Sequence, residues 1–312
     1  MKEFKKYLQQ KDYTKSTQTS YLEAVSRFIS WYKSDVINTE KKDILKYLEY
    51  LKTKNQTNRS RMHALTPIKH YFDCLLQAEQ IASNPTAFIK IRGTKKKYLY
   101  KIFTTDELTQ LADDYYNIFV KNFDENRIPE NQRLNSHLSK NRNYCMLTFL
   151  VYQGLHTNEL PKITLDDINL MKATLKIRGT KRSNGRTLTL KAEQIGSLMN
   201  YLQNIRPQFE LHQKSNALFL PLIWKGKITS THLKGTIQTL GNHVRAINEN
   251  FINFQHIRAS VITAWIKNDG LRKAQYFAGH RYISSTENYL QNDIEALKDD
   301  ITKYNPFLNN LY

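Results

Sequence analysis

Several residue types that together suit an anionic phosphorus centre stand in a fixed order along this sequence. Tyr289 lies nine residues after His280, and Arg258 lies twenty-two residues before it. Lys181 opens the basic turn Lys181-Arg182-Ser183-Asn184-Gly185, and His156 sits in Gly154-Leu155-His156-Thr157-Asn158-Glu159-Leu160. A phosphodiester resists attack because it is charged. It yields when a nucleophile is held in line, its free oxygens are neutralised and the departing oxygen is protonated. A phenolic oxygen can attack, and a guanidinium offers a planar fork to two phosphate oxygens. An imidazole can donate a hydrogen bond, and an ammonium with a pKa of ~10.4 carries a proton to give away. Taken singly, each has a plainer reading. Tyr289 is one of 19 tyrosines. A lone His is more often a cap or core residue, and a lone Arg a surface ion pair. Lys181 lies in a charged turn, where Arg182 is the alternative by a one-residue slip. The joint spacing carries the chemistry.

The segment Ala278-Gly279-His280-Arg281-Tyr282-Ile283-Ser284-Ser285-Thr286-Glu287-Asn288-Tyr289 resembles the C-terminal signature of the tyrosine recombinases, the phage integrase-like family. Gln255-His256-Ile257-Arg258 resembles that family's His-x-x-Arg box. The segment at Gly154–Leu160 resembles its Gly-Leu-Arg-x-x-Glu-Leu box and is followed by Asp166-Asp167-Ile168. The resemblance is ordered over about residues 103–300 and looser before them. It implies site-specific recombination or integration of DNA, as in mobile elements, with Tyr289 as nucleophile and a 3′-phosphotyrosyl intermediate. Arg258, His280 and Lys181 would act on the phosphate and leaving group, and Glu159 would orient its neighbours. No cofactor or metal is implied. The pattern departs twice: His156 stands where the family has its first catalytic Arg, and Gln255 where it has His. Arg178 or Arg182 are candidates to compensate for the first loss. These departures also allow an impaired relative that binds DNA as a regulatory or architectural protein.

Net charge bears on the partner. The formal charge is +19, which favours nucleic acid, the commonest large anion, over a membrane surface. A basic helical protein without phosphoryl chemistry is the reading furthest from catalysis. No apolar run approaches the ~20 residues that span a bilayer. The charged start, Met1-Lys2-Glu3-Phe4-Lys5-Lys6, lacks a secretory signal's apolar stretch. Cys74 and Cys145 lie far apart in apolar surroundings, which fits a reducing cytoplasm.

The elements that must position these residues are mainly α-helical, with a small antiparallel β-sheet. Residues 1–90 are expected to form a SAM-like helical bundle, the core-binding DNA clamp that the resemblance implies. Its stripes are Tyr21, Val25, Phe28, Ile29 and Tyr32; Ile44, Leu45, Leu48 and Leu51; and Leu65, Ile68, Phe72, Leu75 and Leu76. The aromatic pairs Tyr21/Phe28 and Tyr71/Phe72 read as core rather than as base-stacking platforms. Pro67 is expected to kink the third helix or mark its start. Arg59, Arg61, His63 and Lys69 are candidate DNA contacts on that helix. Residues 91–102 read as a basic linker whose Lys95, Lys96 and Lys97 suit the phosphate backbone, and residues 103–312 as the catalytic domain. There, Thr104 and Glu107 form a capping box, 121–140 read as a loop, 144–152 as a buried helix and 173–190 as a hairpin. Beyond Tyr289, Ile294, Leu297 and Ile301 have helical spacing. By resemblance, that helix docks on a neighbouring protomer in a DNA-bound tetramer.

Overall fold

The structure, a computed structural model, describes residues 1–93, 101–210, 215–222 and 231–290, excepting the side chains of residues 125, 210, 231 and 232. The chain divides into two units, Met1–Tyr98 and Leu99–Tyr312. The Lys95-Lys96-Lys97 run and the helix expected around Ile294, Leu297 and Ile301 lie outside the described residues.

The first unit holds α1 (Lys2–Gln10), α2 (Lys15–Tyr32), α3 (Lys41–Thr53) and α4 (Asn58–Gln77). Thr14 caps α2 by accepting from the Thr17 N–H, and Thr57 caps α4 by accepting from Ser60. The stripes meet in one core containing Phe4, Val25, Phe28, Ile44, Leu48, Ile68 and Phe72. Phe28 and Phe72 are fully buried and meet edge to face, as core aromatics do. Leu45 and Leu76, expected in the stripes, are exposed. Pro67 does not mark a helix start. α4 runs through it, and burial of Leu65, Pro67 and Ile68 on one face offsets the lost backbone bond.

The second unit begins with α5 (Thr105–Tyr115), started by the reciprocal Thr104–Glu107 capping box. The expected loop over 121–140 is largely helix instead: α6 runs from Glu130 to Gln153. Its first turns carry no apolar stripe, since among residues 130–139 only Leu138 is buried; Lys140, Asn141, Arg142 and Asn143 then continue the helix buried although polar. Arg142 is accommodated by donating to the Leu220 carbonyl at 2.8 Å and to the Asn143 side chain.

The sheet is a three-stranded antiparallel meander of β1 (Ile168–Asn169), β2 (Thr174–Ile177) and β3 (Arg186–Thr189). Leu175 pairs with Leu188 and Ile177 with Arg186, so all four face inward. α7 (Ala192–Asn200) follows, and a π-helical turn joins it to α8 (Arg206–Glu210). Then come α9 (Thr231–Ile247), α10 (Phe254–Asp269), α11 (Leu271–Ala278) and α12 (Ile283–Glu287). The core joins Leu111, Met146, Phe149, Leu175, Phe219 and Ile257. Among the described residues, no helix is long and apolar enough to cross a membrane.

Candidate active site

Arg258 is the centre of the site. It projects from α10, which starts at an Asn253 cap that accepts from the His256 N–H at 3.0 Å. Arg258 is 6% exposed, so its guanidinium must be satisfied internally. It donates to the Gly154 carbonyl just after α6 and to the Ala278 carbonyl at the end of α11, the latter at 2.7 Å. Both helices end on a glycine in the left-handed region, Gly154 at φ 52° and Gly279 at φ 68°. A Cβ on Gly154 would stand 2.9 Å from Val261, and one on Gly279 2.6 Å from Arg186. These positions need glycine for conformation and for space.

Glu159 ties the site together from below. Its carboxylate accepts two bonds from Arg186 on β3, at 2.8 and 2.9 Å, and one from the His156 backbone N–H at 2.8 Å. It lies 4.0 Å from Arg258. Burial alone would raise its pKa, but Arg186, the backbone bond and Arg258 outweigh that and hold the carboxyl below its ordinary range. Burial pulls the Arg258 pKa down, and Glu159 and Tyr289 oppose it.

His280 follows Gly279 directly. Arg258 can only donate, so at their 3.4 Å contact Nε2 of His280 accepts. The imidazole proton then sits on Nδ1 and is donated to the Thr286 hydroxyl at 2.9 Å. Burial first, then Arg258 and Arg186, push the His280 pKa down to about 4, so the ring is neutral near pH 7. The Tyr289 ring stacks on it with centroids 5.7 Å apart and planes 12° from parallel. Tyr289 is half-buried, and its hydroxyl accepts from the Gln255 amide at 3.0 Å.

His156 is exposed, and its Nδ1 accepts from the Asn158 N–H at 3.1 Å, which leaves Nε2 to carry the proton. Partial loss of water around the ring, then Arg258, lower its pKa from 6.5, against the pull of Glu159. Lys181 is exposed on the hairpin turn, and its carbonyl accepts from Arg281 at 2.8 Å. Arg182 is also exposed, with its N–H bonded to Thr180. Arg178, a candidate to replace the missing Arg, is engaged elsewhere, with Asp167 at 3.1 Å and Thr164 at 3.0 Å.

Arg258, His280, Gln255 and Tyr289 are therefore linked directly, and His156 joins them through Glu159. Sequence reasoning missed Arg186 and Thr286. The signal for Arg186 was a charged residue at an inward position of the hairpin alternation. His256, beside Gln255, is committed to structure: Nε2 bonds the Lys101 carbonyl at 2.7 Å and the ring stacks on Phe103. Among the described residues, no group of three His, Cys, Asp or Glu could hold a metal ion.

In the first unit, Arg59 and His63 are exposed on α4 and Arg61 is half-buried. Lys69 is half-buried, and its ammonium donates to the Ile89 carbonyl at 2.7 Å, which pins that segment to α4. An open groove of about 1180 Å³ is lined by Arg27, Trp31, Lys33, Tyr50, Lys54 and His63. Only His63 of these was singled out from sequence.

Residues 119–295 match the model of the phage integrase family, and residues 1–82 that of the phage integrase N-terminal SAM-like domain. The TnP I resolvase of Bacillus thuringiensis is 23% identical over 304 residues, 96% of this chain and 97% of the relative. Tyrosine recombinase XerD of Staphylococcus epidermidis is 24% identical over 310 residues, 98% of this chain and 90% of the relative. The fold is similar to XerH site-specific recombinase bound to a palindromic difH substrate in a post-cleavage complex. That match has a TM-score of 0.65 at 18% identity, covering 92% of this chain and 79% of that one. A λ integrase dimer bound to a COC′ core site has a TM-score of 0.61 at 12% identity, with 93% of each chain covered. The described architecture, the ordered boxes and both model matches agree, and the chain belongs to the phage integrase family, the tyrosine recombinases.

Proposed function

We propose that the protein carries out site-specific DNA recombination, cleaving and rejoining strands through a covalent 3′-phosphotyrosyl bond at Tyr289. The observation that carries this is the placement of the Tyr289 hydroxyl on Gln255, with its ring on His280, which Arg258 in turn contacts at 3.4 Å. In this mechanism the phenolic oxygen attacks phosphorus in line. Arg258 and the Nε2–H of His156 donate to the non-bridging oxygens. His280, whose Nε2 offers a lone pair, takes the phenolic proton, keeps it as imidazolium and donates a hydrogen bond to a non-bridging oxygen. The added anion offsets the two guanidiniums that hold its pKa down. The bond to the 5′-oxygen breaks, and Lys181 supplies the proton for the departing hydroxyl. A 5′-hydroxyl from a partner strand then reverses each step. The phosphotyrosyl bond conserves the energy of the broken one, so no nucleotide cofactor enters.

Duplex DNA is the proposed partner, supported by the +19 charge and by the DNA-bound relatives. Arg59, Arg61, His63 and Arg182 are proposed to meet it, together with Lys95, Lys96 and Lys97. Exchange of two duplexes requires four active sites, so the assembly proposed is a DNA-bound tetramer acting in the cytoplasm. His156 and Gln255 favour a second reading, an impaired relative that only binds its site. A suicide duplex nicked next to the scissile phosphate tests both. Recombination chemistry gives a covalent protein–DNA adduct that vanishes in Tyr289→Phe. Specific retardation with no adduct in the unaltered protein would favour the second reading.

A further inference from the structure

The hairpin turn that carries Lys181 is fastened to the link between α11 and α12 that carries His280. Ser183 and His280 form an antiparallel bridge, and the Asn184 N–H donates to the Gly279 carbonyl at 3.0 Å. Within the turn, Thr180 N–H donates to the Ser183 carbonyl at 2.8 Å, and the Thr180 hydroxyl accepts from the N–H groups of Arg182 and Ser183. These bonds close the turn on itself and dock its second half. Arg281, one residue past His280, also reaches the turn: its guanidinium donates to the Lys181 carbonyl at 2.8 Å.

We propose that Arg281 is a positioning residue that fixes the Lys181 backbone against the His280 link, so that proton donor and imidazole are presented to the phosphate as one unit. This rests on the reading of Lys181 as the proton donor. An ammonium on a four-carbon stem is a flexible donor. Its transfer geometry depends on where its backbone is held, and a displacement near 1 Å can cost a large part of a proton-transfer contribution. Arg281 touches neither Tyr289 nor Arg258 in any described bond, so its effect runs through Lys181.

The test uses two versions of a nicked suicide duplex, one with an ordinary phosphodiester and one with sulfur at the bridging 5′ position. Attack by Tyr289 breaks the P–O5′ bond in the first and the P–S bond in the second. An alkoxide needs a proton to leave, whereas a thiolate, with a thiol pKa of ~8.5, leaves without one. Single-turnover cleavage at saturating protein is measured for Arg281→Ala, Arg281→Lys, Lys181→Ala and the double variant. Arg281 is exposed, so its replacements are compatible with folding. On the ordinary duplex, Arg281→Ala is expected to slow cleavage about tenfold with unchanged DNA affinity. Arg281→Lys, still a donor, recovers part of the loss. On the sulfur duplex the deficit of Arg281→Ala falls below about twofold, and in the Lys181→Ala background removing Arg281 has no further effect.

If Lys181→Ala is not rescued by sulfur, the assignment of Lys181 as proton donor fails. If Lys181→Ala is rescued and Arg281→Ala is not, or has no deficit to rescue, the positioning role of Arg281 is overturned. A weaker affinity with a shallower salt dependence, uniform on both substrates, would make Arg281 a phosphate contact and equally overturn it.

Discussion

The side-chain amide of Gln255 donates to the phenolic oxygen of Tyr289 at 3.0 Å. An amide can orient a nucleophile but cannot take its proton. Replacing Gln255 with Ala should therefore loosen Tyr289 without altering the proton pathway. One hydrogen bond of about 1 kcal/mol corresponds to roughly a fivefold slower cleavage. Gln255→His, which keeps a donor, should lose less. Single-turnover adduct formation on the nicked duplex reads both.

Because Tyr289 sits in the site built by its own chain, each protomer should cut with its own tyrosine. A mixture of Tyr289→Phe and Arg258→Lys proteins, each inactive alone, should give no adduct on a two-site duplex. Recovery of adduct in the mixture would mean that tyrosine is delivered to a neighbour's site.

His156 presents a single N–H, where a guanidinium would present several. His156→Arg should raise cleavage by about tenfold or more, given the 10²–10³ that one oxyanion donor contributes elsewhere. The lowered pKa of His156 keeps it neutral at pH 7. Acid also protonates the base His280 in both proteins, so the expected signature is relative: as the His156 ring gains charge from pH 7.5 towards 5, the unaltered rate should rise against that of His156→Arg. Rate profiles of the two proteins that ran parallel would count against His156 as a phosphate donor.

Stability should fall on the acid side through the same site. The His280 pKa is about 4 in the folded chain and ~6.5 unfolded, so the unfolded state binds more protons between those values. Stability is complete above 6.5 and declines as pH drops towards 4. The lowered pKa of Glu159 adds its loss at still lower pH. Thermal midpoints measured from pH 7.5 to 4.5 should show this slope, reduced in His280→Gln. Glu159→Gln should cost about 3–5 kcal/mol at pH 7 in urea unfolding, because it leaves the Arg186 guanidinium buried without its anion.

How far the sequence was legible follows from which forces act locally. The stripes of α2 to α4, the Thr104–Glu107 cap and the hairpin were readable because each rests on spacing within a few residues. α6 was hidden over its first half because residues 130–139 are mostly polar and exposed, with only Leu138 buried, so the helix there is set by its continuation into the core rather than by a local stripe. Lys69 was readable as a cation but not as a latch, since Ile89 lies twenty residues on. The chemical residues could be named from their order. Arg186 could not, because its importance lies in a pairing with Glu159 across twenty-seven residues.

The two carbonyls that hold Arg258 belong to Gly154 and Ala278, where α6 and α11 run out. Peptide dipoles aligned along each helix leave roughly half a negative charge at such an end. The guanidinium is thus solvated inside the protein by fractional charges, and the nearest full carboxylate stands back at 4.0 Å. Two such ends together come near one full negative charge, so the cation stays ionised and balanced inside the protein, its orientation fixed by the backbone before any phosphate arrives.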